Sequence, residues 1–250
     1  WFQIDPQLVN EIWSAFYPGM VKQATERALW GARITNDDWG THPTMAYAAM
    51  ISAAFFEDDI EKLVKLAVNA VPNTGPFAEG IRDVIRWHEQ HDDWRVTRQL
   101  IHDKYWAYKS TQLEAPVSIV SSLNNGLTGI MALLYGEGDY SRTVGIATSA
   151  GYDSDNQAAT LGGLIGTMKG MTGLNDDVVT RMKTLDASWE WDEPFNDTYV
   201  NISRDEIALR TPITEIAARI VAIAEQAIRD NGGRMIQNND EVYYVINADI

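Results

Sequence analysis

In a chain of 250 residues, 20 lysines and arginines stand against 35 aspartates and glutamates, and the net charge of −15 argues against holding a nucleic-acid polymer by general electrostatics, which needs a basic face. There is no cysteine, so disulfides, thiolate chemistry and cysteine-ligated zinc are excluded, and the four histidines show no His-x-x-x-His spacing. The length suits one large domain with a sizeable core, and no apolar run approaches the roughly 18 residues that a membrane span requires.

Helical periodicity dominates from the start. Asp5-Pro6 reads as an N-cap and first helical residue, and Leu8, Val9, Ile12, Trp13 and Phe16 follow at helical spacing until Pro18-Gly19. A second helix is expected over 21–34, with Ala24, Ala28, Leu29 and Ala32 on its apolar face. The polar loop 35–43 then leads into an alanine-rich helix over 44–56. Within that loop Asp38 or Thr44 can cap the helix, and His42 beside Pro43 reads as a surface histidine.

The spacing predicts an amphipathic helix over 58–71, a break at Pro72-Asn73-Thr74-Gly75-Pro76, and a helical hairpin over 77–91 and 93–106. Arg82, Arg86, Arg95 and Arg98 on that hairpin read either as a patch for phosphate or a partner, or as charges on solvated faces. Residues 118–135 are apolar nearly all round and therefore a buried helix, in which Asn124 and Asn125 must find partners. Helices over 140–150 and 157–170 follow. The acidic stretch 175–197 carries Trp189, Trp191 and Phe195, suited to stacking on a planar base or to covering a core edge. Thr211-Pro212 opens a last helix that stops at Asn231-Gly232-Gly233, and a β-hairpin is expected from 234–237 and 242–246. The fold class is thus all-α, many-helix and orthogonal, with a helical domain over 1–232 and a hairpin extension over 233–250.

One stretch carries chemistry: residues 149–166, Ser-Ala-Gly-Tyr-Asp-Ser-Asp-Asn-Gln-Ala-Ala-Thr-Leu-Gly-Gly-Leu-Ile-Gly. Asp153 and Asp155 would point about 200° apart on a helix, so they converge on one ion only from a turn, with the helix beginning just after them. Their oxygens, with the Ser154 hydroxyl and the Asn156 amide, suit hard cations such as Mg²⁺, Mn²⁺ or Ca²⁺. An EF-hand is excluded, because its sixth and twelfth positions, Gly and Glu, are here Ala158 and Leu164. The plainer reading is an Asx turn that caps a helix.

This stretch and residues 124–139, Asn-Asn-Gly-Leu-Thr-Gly-Ile-Met-Ala-Leu-Leu-Tyr-Gly-Glu-Gly-Asp, together resemble the ADP-ribosylglycohydrolase family. That family's second metal-binding half has the form Gly-x-Asp-Thr/Ser-Asp before an alanine-rich helix, preceded by a buried helix ending in Leu-Leu-Tyr-Gly-x-Gly-Asp. The resemblance covers roughly residues 20 to 230, taking in Phe55-Phe56-Glu57-Asp58-Asp59-Ile60-Glu61-Lys62, the Val71-Pro72 turn and Tyr199-Val200-Asn201-Ile202-Ser203-Arg204. It implies hydrolysis of the glycosidic bond joining ADP-ribose to a protein side chain or small molecule, at a centre of two Mg²⁺ or Mn²⁺ ions. Asp153, Asp155 and Asn156 would be metal ligands there, and Asn36, Asn124, Gly151 and Tyr152 would border the substrate. The family's Thr-Asp-Asp run and its proton-transfer carboxylate are expected upstream of Trp1, so the catalytic residue is not named here. Asn36-Asp37-Asp38 reads either as a mimic of that run or as the family's later Thr-His loop, with Asn36 where His is usual. Asn156 stands where the family carries Thr, Ser or Cys. A non-catalytic ADP-ribose-binding or structural relative, or another N-ribosyl hydrolase, therefore stays open. So does the compartment, with the cytoplasm favoured and export still possible.

Overall fold

Acidic residues placed one position ahead of apolar runs set several helix starts. Asp59, Asp93 and Asp139 each accept a hydrogen bond from a backbone N–H of the turn that follows, from Lys62, Arg95 and Arg142. Each satisfies a helix-terminal donor that would otherwise be orphaned. Pro76 begins its helix from the first position, where no N–H is needed.

The computed structural model describes residues 2–9, 11–109, 117–174, 197–201, 206, 208–239 and 241–249. In chain order the elements are α1 (Asp5–Val9), α2 (Ile12–Phe16), α3 (Val21–Ala32), a 3-10 turn (Asp38–Thr41), α4 (His42–Ala53), α5 (Ile60–Asn69), α6 (Pro76–Gln90), α7 (Trp94–Tyr105), α8 (Ser122–Gly136), α9 (Tyr140–Ser149) and α10 (Ser154–Gly173). There follow β1 (Thr198–Val200), β2 (Arg210–Pro212), α11 (Ile213–Asp230), β3 (Arg234–Asn238) and β4 (Glu241–Val245). The all-α expectation holds. Two short helices replace the single one expected before Pro18, and the pair β1–β2 is an addition to the expected terminal hairpin. Among the described residues no helix is long and apolar enough to cross a membrane.

The chain forms two compact units, Trp1–Lys169 with Ala248–Ile250, and Gly170–Asn247. In the first, every residue of α8 is buried, and α4, α5, α6, α7 and α9 pack around it. Helix–helix ties inside this core are polar as well as apolar. Asp83 of α6 is buried and accepts from Tyr105 Oη at 2.7 Å, Lys104 Nζ at 2.5 Å and Arg86 at 2.5 Å. Burial would raise the Asp83 carboxyl, but these donors hold it below the usual range. The start of α3 is capped from the far end of the chain, where the Asp249 carboxylate accepts from the backbone of Val21 at 2.5 Å and Lys22 at 3.1 Å.

In the second unit β1 pairs antiparallel with β2, in the register Thr198 to Pro212 and Val200 to Arg210. β3 pairs with β4 from Arg234 opposite Val245 to Asn238 opposite Glu241, as the sequence led us to expect. The stretch that contains Trp189, Trp191 and Phe195 lies outside the described residues.

The loop before α4 departs from expectation in two respects. Asp37, rather than Asp38 or Thr44, caps the 3-10 turn by accepting from the Asp38 N–H at 2.9 Å. His42 is buried as the first residue of α4, not a surface loop histidine. Burial lowers its imidazole pKa, against an opposing effect of the Asp38 charge.

Candidate functional site

The chain leaves α9 through Ala150 and reverses at two successive left-handed residues, Gly151 at φ 82° and Tyr152 at φ 62°. Glycine adopts this conformation freely, whereas a tyrosine gives up roughly 1–2 kcal/mol to do so. Tyr152 is held there from several sides. Its Oη lies 2.7 Å from His102 Nδ1, and its ring stacks on Trp106 at 5.3 Å and 24°. The Arg98 guanidinium carbon lies 4.5 Å from the ring centroid on the Tyr152 face, and Arg98 Nε donates to Ala150 O at 2.9 Å.

Directly after Tyr152, the Asp153 N–H donates to Asn125 Oδ1 at 2.9 Å. Asn125 is itself fixed at the start of α8, its Nδ2 donating to the carbonyls of Ile119 and Ser121, both at 2.8 Å. The Asp153 carbonyl accepts from Gln157 N at 3.2 Å, so α10 starts at Ser154 and not, as the spacing argument had it, after Asp155. Asp153 thus sits just before the helix and Asp155 in its first turn. Having only one of the pair on the helix lets the carboxylates meet.

Burial raises the Asp153 carboxyl first. A shared hydrogen bond with Asp155 and the charges of Asp155 and Asp5 raise it further, while a hydrogen bond from Asn156 opposes them. Acidic groups that press on one another in this way make a place where a cation relieves repulsion. Asn156 Oδ1 is buried and has no hydrogen-bond partner among the described residues, which leaves an unsatisfied oxygen acceptor beside the turn. Among the described residues no group of three or more His, Cys, Asp or Glu is arranged to hold a metal ion. A donor set drawn from this turn would comprise two carboxylates and the neutral oxygen of Asn156. That composition fits Mg²⁺ or Mn²⁺, which keep several waters and take only one or two protein carboxylates.

Of the residues singled out in the sequence, Gly151, Tyr152, Asp153, Asp155 and Asn156 come together in this one turn. Asn124 is buried with its amide turned to the Tyr105 carbonyl at 3.3 Å. Asn36 is buried too, donating to the carbonyls of Gln3 at 2.6 Å and Gly40 at 2.8 Å. Gln3 bridges to Ser121, the same residue whose carbonyl holds Asn125, so backbone and amides connect Asn36 to the Asp153 turn. Sequence reasoning did not single out His102 and Trp106, and it grouped Arg98 with three other arginines. The signal was the i, i+4, i+8 spacing of Arg98, His102 and Trp106, which puts all three on one stripe.

The inner face of α10 continues as a buried polar seam. Gln7 Nε2 donates to Gln157 Oε1 at 3.4 Å, and Tyr47 Oη donates to Gly126 O at 2.9 Å. Burial pushes the Glu11 carboxyl up to about 7 from a usual 4.5, with the Thr160 hydroxyl pulling the other way. A raised carboxyl binds its proton more tightly when folded. Its contribution to stability is full below about pH 4.5 and is lost as pH rises through about 7. Glu11→Gln is therefore expected to stabilise the protein by on the order of 2 kcal/mol at pH 8 and by little at pH 5, measured by urea unfolding. Equal stability of the two proteins at pH 8 would exclude a buried, titrating Glu11.

A family model described as ADP-ribosylglycohydrolase matches residues 12–222 of the chain. No curated protein and no solved structure matches it at a significant level.

Proposed function

The chain belongs to the ADP-ribosylglycohydrolase family, and on that premise we propose that it hydrolyses the glycosidic bond of an ADP-ribosylated protein or small ADP-ribosyl conjugate with the help of Mg²⁺ or Mn²⁺. Membership supports glycohydrolase activity in general. The observation that supports the finer reading is the pairing of Asp153 with Asp155 at the start of α10, where burial and then the shared hydrogen bond and charge of Asp155 raise the Asp153 carboxyl, next in sequence to Asn156 with its unpartnered oxygen.

Asp153, Asp155 and Asn156 would hold one half of a two-ion centre. Cations held by these residues would supply positive charge to the oxygens of an anionic ligand and lower the pKa of a water. That assistance suits a protein of net charge −15, which has little positive field of its own for an anionic ligand. The chain's own part is to place oxygens. Asn125 fixes the Asp153 backbone, and the N-terminal turn of α10 presents Asp155. Departure of the side chain or other aglycone builds positive charge at the anomeric carbon of the ribosyl group, which water then attacks.

The test is release of free ADP-ribose from mono-ADP-ribosylated protein and from small ADP-ribosyl conjugates, with Mg²⁺, Mn²⁺ or chelator. Release that needs a cation is the expected result. Cation binding without release from any conjugate would select a non-catalytic relative, a reading favoured by Asn36, whose amide is already committed to two backbone carbonyls. Release from other N-ribosyl compounds alone would move the substrate class.

A further inference from the structure

We propose that Arg98, His102 and Trp106 are positioning residues that clamp the turn after α9 and thereby set Asp153 against Asp155. The inference rests on the cation reading above. All three come from one stripe of α7, and all three engage Tyr152, the second of the two residues on which the chain reverses. Arg98 acts twice, with Nε on the Ala150 carbonyl and the guanidinium over the Tyr152 ring. His102 Nδ1 meets the Tyr152 hydroxyl, and the His102 and Trp106 rings stack on each other at 5.2 Å and 23°. Trp106 closes the set with its own stack on Tyr152.

The arrangement answers a specific need. Tyr152 sits at positive φ without the freedom of glycine, so the surrounding contacts must impose its conformation. If Tyr152 relaxed to an ordinary backbone conformation, the next peptide would turn. The Asp153 N–H would leave Asn125, and the Asp153 carboxylate would swing away from Asp155. A surface aromatic cluster that only covered the core would have no reason to grip both the carbonyl before the reversal and the side chain at it.

The α7 helix is itself anchored elsewhere, through Lys104 and Tyr105 on buried Asp83. The clamp therefore pulls from a fixed base. The same residues give a clean experimental handle, since none of them belongs to the donor set.

Two measurements on each variant test the clamp: hydrogen exchange of the peptide spanning 150–156 in chelator, and Mn²⁺ affinity by calorimetry. Arg98→Ala and Trp106→Ala are expected to speed exchange across the turn and to weaken Mn²⁺ binding about tenfold, the scale seen when groups behind metal ligands are removed. Trp106→Phe keeps a ring to stack and should restore both. Tyr152→Gly separates the backbone from the side chain. Glycine takes the left-handed conformation freely, yet the variant should still lose Mn²⁺ affinity because nothing grips it. Unchanged exchange in Arg98→Ala and Trp106→Ala would overturn the clamp. Faster exchange at unchanged Mn²⁺ affinity, with affinity lost in Asp155→Ala, would overturn its role in positioning. Unchanged affinity in Asp155→Ala would instead overturn the cation reading, and the exchange data would still decide the clamp.

Discussion

Asp155→Ala is expected to melt slightly higher than the wild type in chelator and to lose the stabilisation that Mn²⁺ gives the wild type. Three effects act in chelator. Losing a carboxylate from the first turn of α10 costs about 0.5 kcal/mol of helix-dipole energy, and gaining alanine in a helix returns about as much. What remains is relief of the repulsion from Asp155 that, after burial and the shared hydrogen bond, raises the Asp153 carboxyl, and it should show as a small rise in melting temperature. With Mn²⁺ at about a hundred times its Kd, the wild type should gain about 2.7 kcal/mol. Loss of one of two carboxylate ligands should weaken binding by about a hundredfold or more, beyond what indirect positioning costs, and should remove nearly all of that gain. Melting curves of both proteins in chelator and in Mn²⁺ decide the matter. A variant that melts lower than wild type in chelator, and is still stabilised by Mn²⁺, would make Asp155 an ordinary helix-capping residue.

The same pattern that motivates this test is what singles out Asp153 and Asp155 in the sequence. Two acidic residues bracketing one serine, after a glycine and before a small-residue helix, make little sense as packing. The helices were legible for a related reason, because apolar spacing and capping aspartates such as Asp59, Asp93 and Asp139 act within one or two turns of themselves. What the sequence left open depends on partners far along the chain. Asn124 and Asn125 are chemically identical neighbours, but adjacent positions on a helix point about 100° apart. One therefore meets the Tyr105 carbonyl and the other the Asp153 turn. The four arginines of the α6–α7 hairpin looked equivalent as well. Arg82 reaches Asn73, Arg86 reaches Asp83 and Arg95 reaches Asp93, all local, whereas Arg98 crosses to Ala150. Nor does local spacing signal that Asp249 caps α3. The start of α10 was placed three residues late, because the spacing argument put both aspartates outside the helix when only one needed to be.

The tight seam beneath the site makes Gly129 a residue where one added methyl does large harm. A Cβ at Gly129 would lie 2.0 Å from Tyr47 Oη and 2.3 Å from Gln157 Oε1. The Gln157 amide is the end of a flexible side chain and can turn away, giving up its 3.4 Å contact with Gln7. Tyr47 cannot, because its ring is about 1% exposed and its hydroxyl is held on the Gly126 carbonyl of α8 itself. Gly129→Ala gains about 1 kcal/mol of helix propensity, but the overpacking should cost about 4, at the upper end for one added methyl in a closed core. A net loss near 3 kcal/mol corresponds to a melting temperature lower by roughly 6–12 °C. The cause can be isolated with Tyr47→Phe. Alone, that change removes a buried hydrogen bond and should destabilise by about 1 kcal/mol. In the Gly129→Ala background it removes the atom in the way and should stabilise, giving a coupling of opposite sign in the double-mutant cycle. Simple additivity of the two changes would mean that the space around Gly129 is not what limits the residue there.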